Sequence, residues 1–275
     1  MAPPAAGGPV MVEAQGGIHL AEWGCELVGT ALLLLAGLSA VALDFGEGSP
    51  VTAAIPSVSL RLLLTGALFA AAGSLVAISP LGRQSGGHIN PAVTFAFWMT
   101  RHVHPHDLAG YVGAQLLGAL LGVAVWRALW GPVADSVMRG ATVPGAGVSA
   151  PEAVLIEALM TAFLVAVIFA MLSSRRTMRW TPLAVWAAVT LLVWQAAPLT
   201  GTSLNPARSL APALIGGGLA SLWVYLVGPL AGALVVAGAW RVLGGHRRPL
   251  TAKLFHDPHY RCVLAALEED IGVSR

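Results

Sequence analysis

Ser85-Gly86-Gly87-His88-Ile89-Asn90-Pro91-Ala92 and Gly201-Thr202-Ser203-Leu204-Asn205-Pro206-Ala207-Arg208 are two versions of one phrase. Each Asn-Pro-Ala leads into only about ten apolar or small residues, whereas a helix that crosses a bilayer needs ~20. Asn is a strong helix N-cap, and Pro at the next position sacrifices no hydrogen bond because that amide is unpaired in any helix. The doubled phrase therefore predicts two half-length helices. Paired helix N-termini inside a membrane-spanning chain point to a lined pore.

The surrounding composition agrees with a membrane setting. The chain has 275 residues, 56% of them hydrophobic and only 10% charged, against about 25% charged in a soluble domain. Its 32 glycines suit close helix packing. The net charge of +2 carries no nucleic-acid signal, because the basic residues fall in loops and in the tail. Cys25 and Cys262 lie in a span and in the tail, which argues against a disulfide, and no metal-ligand spacing is present. No cofactor is expected.

Uncharged stretches place the helices. Residues 27–43, 62–82, 108–126 and 158–174 each read as one span, and residues 181–207 as a span plus the approach to Asn205. Residues 209–240 are too long for one helix and read as a half-helix, a Gly216-Gly217-Gly218 break and a sixth span. The expected fold is an all-α membrane protein with six transmembrane helices and two re-entrant half-helices.

Residues 1–19 read as a disordered tail rather than a signal peptide, since Met1 to Gly17 is rich in Pro, Gly and Ala and has no basic residue. Residues 20–245 form the channel domain, and residues 246–275 a cytoplasmic tail. Leu264-Ala265-Ala266-Leu267 followed by Glu268-Glu269-Asp270 suggests a short amphipathic helix there. The basic start of the tail can touch anionic lipid.

Of the Lys and Arg residues, 11 fall on the loops and tail of one face and 4 on the other. This bias predicts that both termini are cytoplasmic, and a multi-pass protein of the cell (plasma) membrane is expected. Glu26-Leu27-Val28-Gly29-Thr30 opens the first half much as Glu157-Ala158-Leu159-Met160-Thr161 opens the second. The repeats run about 20–145 and 150–245. Three spans per half force the halves to insert with opposite topology, which sets the two Asn-Pro-Ala motifs end to end near the midplane.

Each Asn side-chain carbonyl can take a first-turn amide, leaving its NH2 free to face the pore. Two such amides, with two positive helix ends, offer donors to a passing oxygen and repel cations. A water held by both donors turns its hydrogens outward, which hinders proton hopping. Glu26 and Glu157, acids at matching helix starts, are expected to accept hydrogen bonds from the re-entrant loops. His88, two before Asn90, is expected beside the pore. His102, His104 and His106 read as a solvated turn rather than a metal site. Gly118-x3-Gly122 and Gly228-x3-Gly232 read as helix-packing motifs.

The motifs Ser85 to Thr94 and Asn205 to Ser209, with Gly228-Pro229 in the last span, resemble those of the aquaporin superfamily (major intrinsic proteins) over about residues 20–245. The resemblance implies a passive channel, a homotetramer with one pore per subunit, and a membrane-lipid environment. It assigns the two Asn-Pro-Ala triplets, Asn90-Pro91-Ala92 and Asn205-Pro206-Ala207, to the pore. It assigns Arg208, Thr202, Val193 and Ala70 to a selectivity filter, with Phe69 as the one-residue slip. Strict water channels carry His at the Val193 position and an aromatic at the Ala70 position, and the aromatic-plus-glycine filter of glycerol facilitators is missing too. This filter, with small and apolar walls, predicts passage of water and small uncharged solutes such as polyols or neutral metalloid acids, without ions or protons. A strict water channel is the alternative. An ion-coupled transporter would need coupling acids, and the acids inside spans look like scaffolding. No nucleophile–base pair within the spans suggests an enzyme.

Overall fold

The computed structural model describes residues 11–243 and 248–267. In chain order the helices are α1 (Leu20–Phe45), α2 (Pro50–Ala54), α3 (Val58–Ile78), α4 (Pro80–Ser85), α5 (Pro91–Met99), α6 (Pro105–Trp130), α7 (Pro132–Ser136), α8 (Ala150–Leu172), α9 (Thr181–Thr200), α10 (Pro206–Gly216) and α11 (Leu222–Leu243). Two short strands, β1 (Met11–Val12) and β2 (Ala266–Leu267), pair antiparallel and so lie on one face, the tail face.

Among the described residues six helices are long and apolar enough to cross a membrane: α1, α3, α6, α8, α11, and α9 with the 3-10 turn before it. Leu117, Leu129, Leu155, Leu159 and Val235 are exposed along them, as expected of side chains whose solvent is lipid. The helices α5 and α10 have 9 and 11 residues. At 1.5 Å per residue they rise about 14 and 16 Å, so end to end they match the ~30 Å hydrocarbon thickness.

The repeat is visible in the packing. Helix α1 packs on α6 as α8 packs on α11, and each half-helix lies against the last long helix of the other repeat, α5 on α11 and α10 on α6. The glycines explain the close approach. A β-carbon on Gly118 or Gly122 would collide with the carbonyl oxygen of Leu27 or Ala31, and one on Gly232 with that of Ala158. Gly217, in the left-handed region at φ 84°, ends α10 and turns the chain towards α11.

Several helices run past the uncharged stretches. Helix α8 begins at Ala150 rather than near 158, because the Glu152 carboxylate caps its start through Ser149 and Glu157 is bonded inside the bundle. Charge marks the edge of a span only where the charge lacks a partner.

Two tail expectations are corrected. Residues 11–19 are placed rather than disordered: β1 pairs with β2, the Gln15 amide donates to the Val263 carbonyl at 2.8 Å, and His19 lies 2.9 Å from Asp107. Residues 1–10 lie outside the described residues. Leu264 to Leu267 form no helix; Ala266–Leu267 is β2, because the partner strand and the carbonyl of His102, bonded by the Ala265 amide, satisfy this backbone in extended form. Glu268, Glu269 and Asp270 lie outside the described residues.

Candidate functional site

The two half-helices begin face to face. The Asn90 side-chain carbonyl accepts from the Ala92 amide at 2.9 Å, and that of Asn205 from the Ala207 and Arg208 amides at 3.0 and 3.4 Å. Each amide nitrogen then reaches across: Asn90 Nδ2 donates to the Leu204 carbonyl at 2.9 Å, and Asn205 Nδ2 to the Ile89 carbonyl at 2.8 Å. The NH2 groups are therefore half committed. One N–H of each ties the loops together, and the second is left for the cavity that both residues line.

The carbonyls that accept these bonds belong to backbone in an unfavourable region. Ile89 and Leu204 have φ of 42° and 58°, a left-handed conformation that branched side chains rarely adopt. Such a residue costs roughly 1–3 kcal/mol and persists only where the surroundings enforce it. Two buried carboxylates enforce it. Glu26 accepts from the His88 and Ile89 amides at 3.0 and 2.6 Å, and from Ser85 and Gln115 side chains. Glu157 accepts from the Ser203 and Leu204 amides, both at 2.9 Å, and from the Thr200 hydroxyl at 2.8 Å. Equivalent acids of the two repeats thus hold the two residues before each Asn.

Two cavities meet beside this crossing, at Arg208. The inner one, about 100 Å³, is lined by Asn90, Asn205, Ala70, His88 and Leu254, among others. The outer one, about 350 Å³, opens on the face opposite the tails and includes Val193, Thr202, Met138 and Gly140. Phe69, Val189, Ser203, Leu204 and Arg208 line both, so the path between the cavities runs past them. Arg208 is buried, its Nη1 donating to the Gly140 carbonyl at 2.7 Å and its Cζ lying 5.6 Å from the centre of the Phe69 ring.

The geometry places Phe69, the one-residue alternative to Ala70, beside Arg208. Ala70 lines the inner cavity only, and the ring beside Arg208 belongs to Phe69, which leans on Gly37 where no β-carbon fits. Val193 and Thr202 line the same outer cavity as Arg208. Of the lining residues that the sequence did not point to, two are instructive. Val189 lies one turn before Val193, so helical spacing could have found it. Leu254 comes from the tail, and no local pattern announces it. Among the histidines, His88 stacks on Phe97 at 4.9 Å, and His102 is buried with its ring nitrogens 3.0 Å from the Thr100 hydroxyl and 2.9 Å from the Pro249 carbonyl. The His104 ring accepts from the His106 amide at the start of α6. No group of metal-holding side chains occurs among the described residues.

A family model described as major intrinsic protein matches residues 18–240. The chain belongs to the major intrinsic protein family. Relatives of this major intrinsic protein include aquaporin NIP1-1 of Oryza sativa subsp. japonica, 34% identical over 226 residues that cover 82% of this chain and 75% of the relative. Aquaporin TIP4-4 of Zea mays is 39% identical over 230 residues, covering 80% and 87%. The solved aquaglyceroporin of Plasmodium falciparum has the same fold, with a TM-score of 0.66 over 82% of this chain and 96% of that one, at 20% identity. The family is one of channels rather than enzymes, and this chain forms a passive channel for water and small uncharged solutes.

Proposed function

We propose that the channel is broadly selective, passing water together with small neutral solutes such as polyols or undissociated metalloid acids, and that Phe69, Val193, Thr202 and Arg208 form its filter. The observation that carries this reading is Val193. The resemblance puts His there in strict water channels, and an isopropyl group takes a polar wall and a donor away from the outer cavity, about 350 Å³, that it shares with Arg208. A solute hydroxyl crossing the constriction meets the Arg208 guanidinium on one side and apolar surface on the other, which suits a molecule with one polar and one carbon-bearing face.

Exclusion follows from charge and hydrogen-bond supply. Two helix N-termini, each worth roughly half a positive charge, converge on the Asn90–Asn205 crossing beside a guanidinium. The remaining N–H of each Asn amide offers a donor to a passing water oxygen and so interrupts a proton-conducting file. We also propose that the tail face, which gathers most of the arginines, is cytoplasmic in the plasma membrane. Four copies assemble with one pore each, as the family resemblance implies.

A second reading has a specific observation in its favour. With the Phe69 ring rather than the Ala70 methyl over Arg208, the constriction has one bulky wall, which suits a strict water channel. Stopped-flow light scattering on proteoliposomes separates the two, comparing water with glycerol, urea and boric acid. Solute flux above empty liposomes is expected. Water flux with every solute excluded establishes the narrow reading, and saturable uptake driven by a proton or sodium gradient overturns the channel altogether.

A further inference from the structure

The inner cavity has one lining residue from outside the eleven helices and their loops, Leu254. It arrives with the segment Thr251–Leu254, which is buried throughout. Three bonds seat it against α4 and the loop before Asn90, and a fourth ties it to the rest of the tail. The Leu254 amide donates to the Gly86 carbonyl at 2.9 Å. The His88 Nε2 donates to the Ala252 carbonyl at 2.8 Å. The Lys253 Nζ donates to the carbonyls of Arg83 and Arg261 at 2.6 and 2.8 Å. Gly86, at φ 103°, permits the approach, since a β-carbon there would press on the Ala252 oxygen and the Leu264 side chain. The segment therefore lies at the tail-face end of the path that leads to Asn90.

Its anchor is an unusual one. Lys253 is fully buried, yet its ammonium bonds backbone carbonyls, and no carboxylate forms an ion pair with it among the described residues. Burial pushes this ammonium below the usual lysine range. Glu22 and Asp257 lie near enough to favour the charged form, but burial outweighs them, and a charge removed from water without a direct ion pair recovers only part of its desolvation cost. Seating is thus opposed by hydration of a single group, which makes it reversible.

We propose that Thr251–Leu254 is a removable plug of the tail-face mouth, with the Leu254 side chain as the stopper and Lys253 as the latch. Seated, it narrows the way to the Asn90–Asn205 crossing. Released, Lys253 is rehydrated and the inner cavity opens to solvent. The proposal rests on the chain being a channel, and its test separates the two claims.

Full-length wild type, Lys253→Glu and Leu254→Gly are reconstituted, and water permeability is measured by stopped flow. Seating is read in parallel by site-resolved maleimide labelling of Cys262, a free and buried thiol of the same docked tail. If the seated form dominates by two to one or more, release raises permeability at least about threefold. Lys253→Glu sets a carboxylate against two carbonyls, so it is expected to expose Cys262 and raise flux. Leu254→Gly removes only the stopper, so it is expected to raise flux while Cys262 stays protected. Exposed Cys262 without faster flux in Lys253→Glu overturns the plug, and protected Cys262 in that variant overturns the latch. If Lys253→Glu does not fold, Leu254→Gly decides alone: unchanged flux above empty liposomes overturns the plug and leaves the channel standing. Flux at the level of empty liposomes in wild type and Leu254→Gly alike overturns both.

Discussion

Asn90 and Asn205 each donate a side-chain N–H to the backbone carbonyl that precedes the other, at 2.9 Å to Leu204 and 2.8 Å to Ile89. The two half-helices are therefore one hydrogen-bonded unit, although each is capped by its own Asn. Replacing either Asn by Ala removes a cap and one crossing bond, and an expected loss of about 1–3 kcal/mol follows. The double variant is expected to lose less than the sum, because the second crossing bond has little left to join once the first is gone. Unfolding of the detergent-solubilised protein followed by circular dichroism measures the cycle. Strict additivity would mean that the crossing bonds act independently.

The carboxylates behind the crossing lead to a sharper contrast. Glu157→Gln keeps the size of the side chain but puts an NH2 in place of one of two accepting oxygens, Oε1 taking Ser203 and Thr200 and Oε2 taking Leu204. At least one buried amide is left without a partner beside a left-handed Leu204, and a loss of roughly 2 kcal/mol or more is expected. Glu26→Gln is expected to behave alike at Ile89. Glu152→Gln, at the exposed start of α8, loses only part of a capping box and about 1 kcal/mol or less. Comparing the three unfolding midpoints under one detergent condition tests the ranking.

What the sequence made legible, and what it hid, follows from how far each feature reaches along the chain. The half-helices were readable because a cap, a proline and a length limit act within a dozen residues. The repeat was readable because Glu26 and Glu157 stand at equal places in equal halves. The choice between Ala70 and Phe69 was counted some twenty positions back from Asn90, and on a helix a slip of one residue rotates the side chain by about 100°. The seating of Lys253 on Arg83 joins residues 170 apart in sequence, and nothing local in a basic tail announces it. The bond between His19 and Asp107 is hidden for the same reason.

The ring position has a direct test. Phe69→Ala removes the wall opposite Arg208, and glycerol and urea fluxes are expected to rise severalfold more than water flux. Ala70→Ser changes a residue of the inner cavity only, and the solute-to-water ratio is expected to stay within error of wild type. Proteoliposome stopped flow with osmolytes of increasing size gives both ratios. A larger response at Ala70 would return that residue to the filter.

Val193→His works in the opposite direction. It puts a polar ring into the cavity shared by Thr202 and Arg208, which reduces free width and restores a donor. Glycerol and boric acid fluxes are expected to fall severalfold while water flux changes little, because water needs the least width and gains a hydrogen-bonding partner. Equal reduction of water and solute flux would indicate a collapsed path rather than a retuned filter.

Arg208 combines two tasks that a substitution can separate. Its Nη1 is spent on the Gly140 carbonyl, which fixes the guanidinium, and its other donors and its charge remain for the path between the cavities. Arg208→Val removes both, so Gly140 loses a partner and the constriction loses its only formal charge. The helix termini alone then oppose cations. A barrier lowered by ~1.4 kcal/mol raises leak about tenfold, and the loss of a whole charge at a constriction is expected to exceed that. Arg208→Lys keeps the charge, but a lysine ammonium used to hold Gly140 cannot present a planar fork to a solute. Proton and potassium leak is therefore expected to rise in Arg208→Val and to stay low in Arg208→Lys, with solute selectivity altered in both. Liposomes loaded with a pH-sensitive dye, with and without valinomycin, measure the leak. Tight liposomes with Arg208→Val would place the cation barrier wholly at the Asn90–Asn205 crossing.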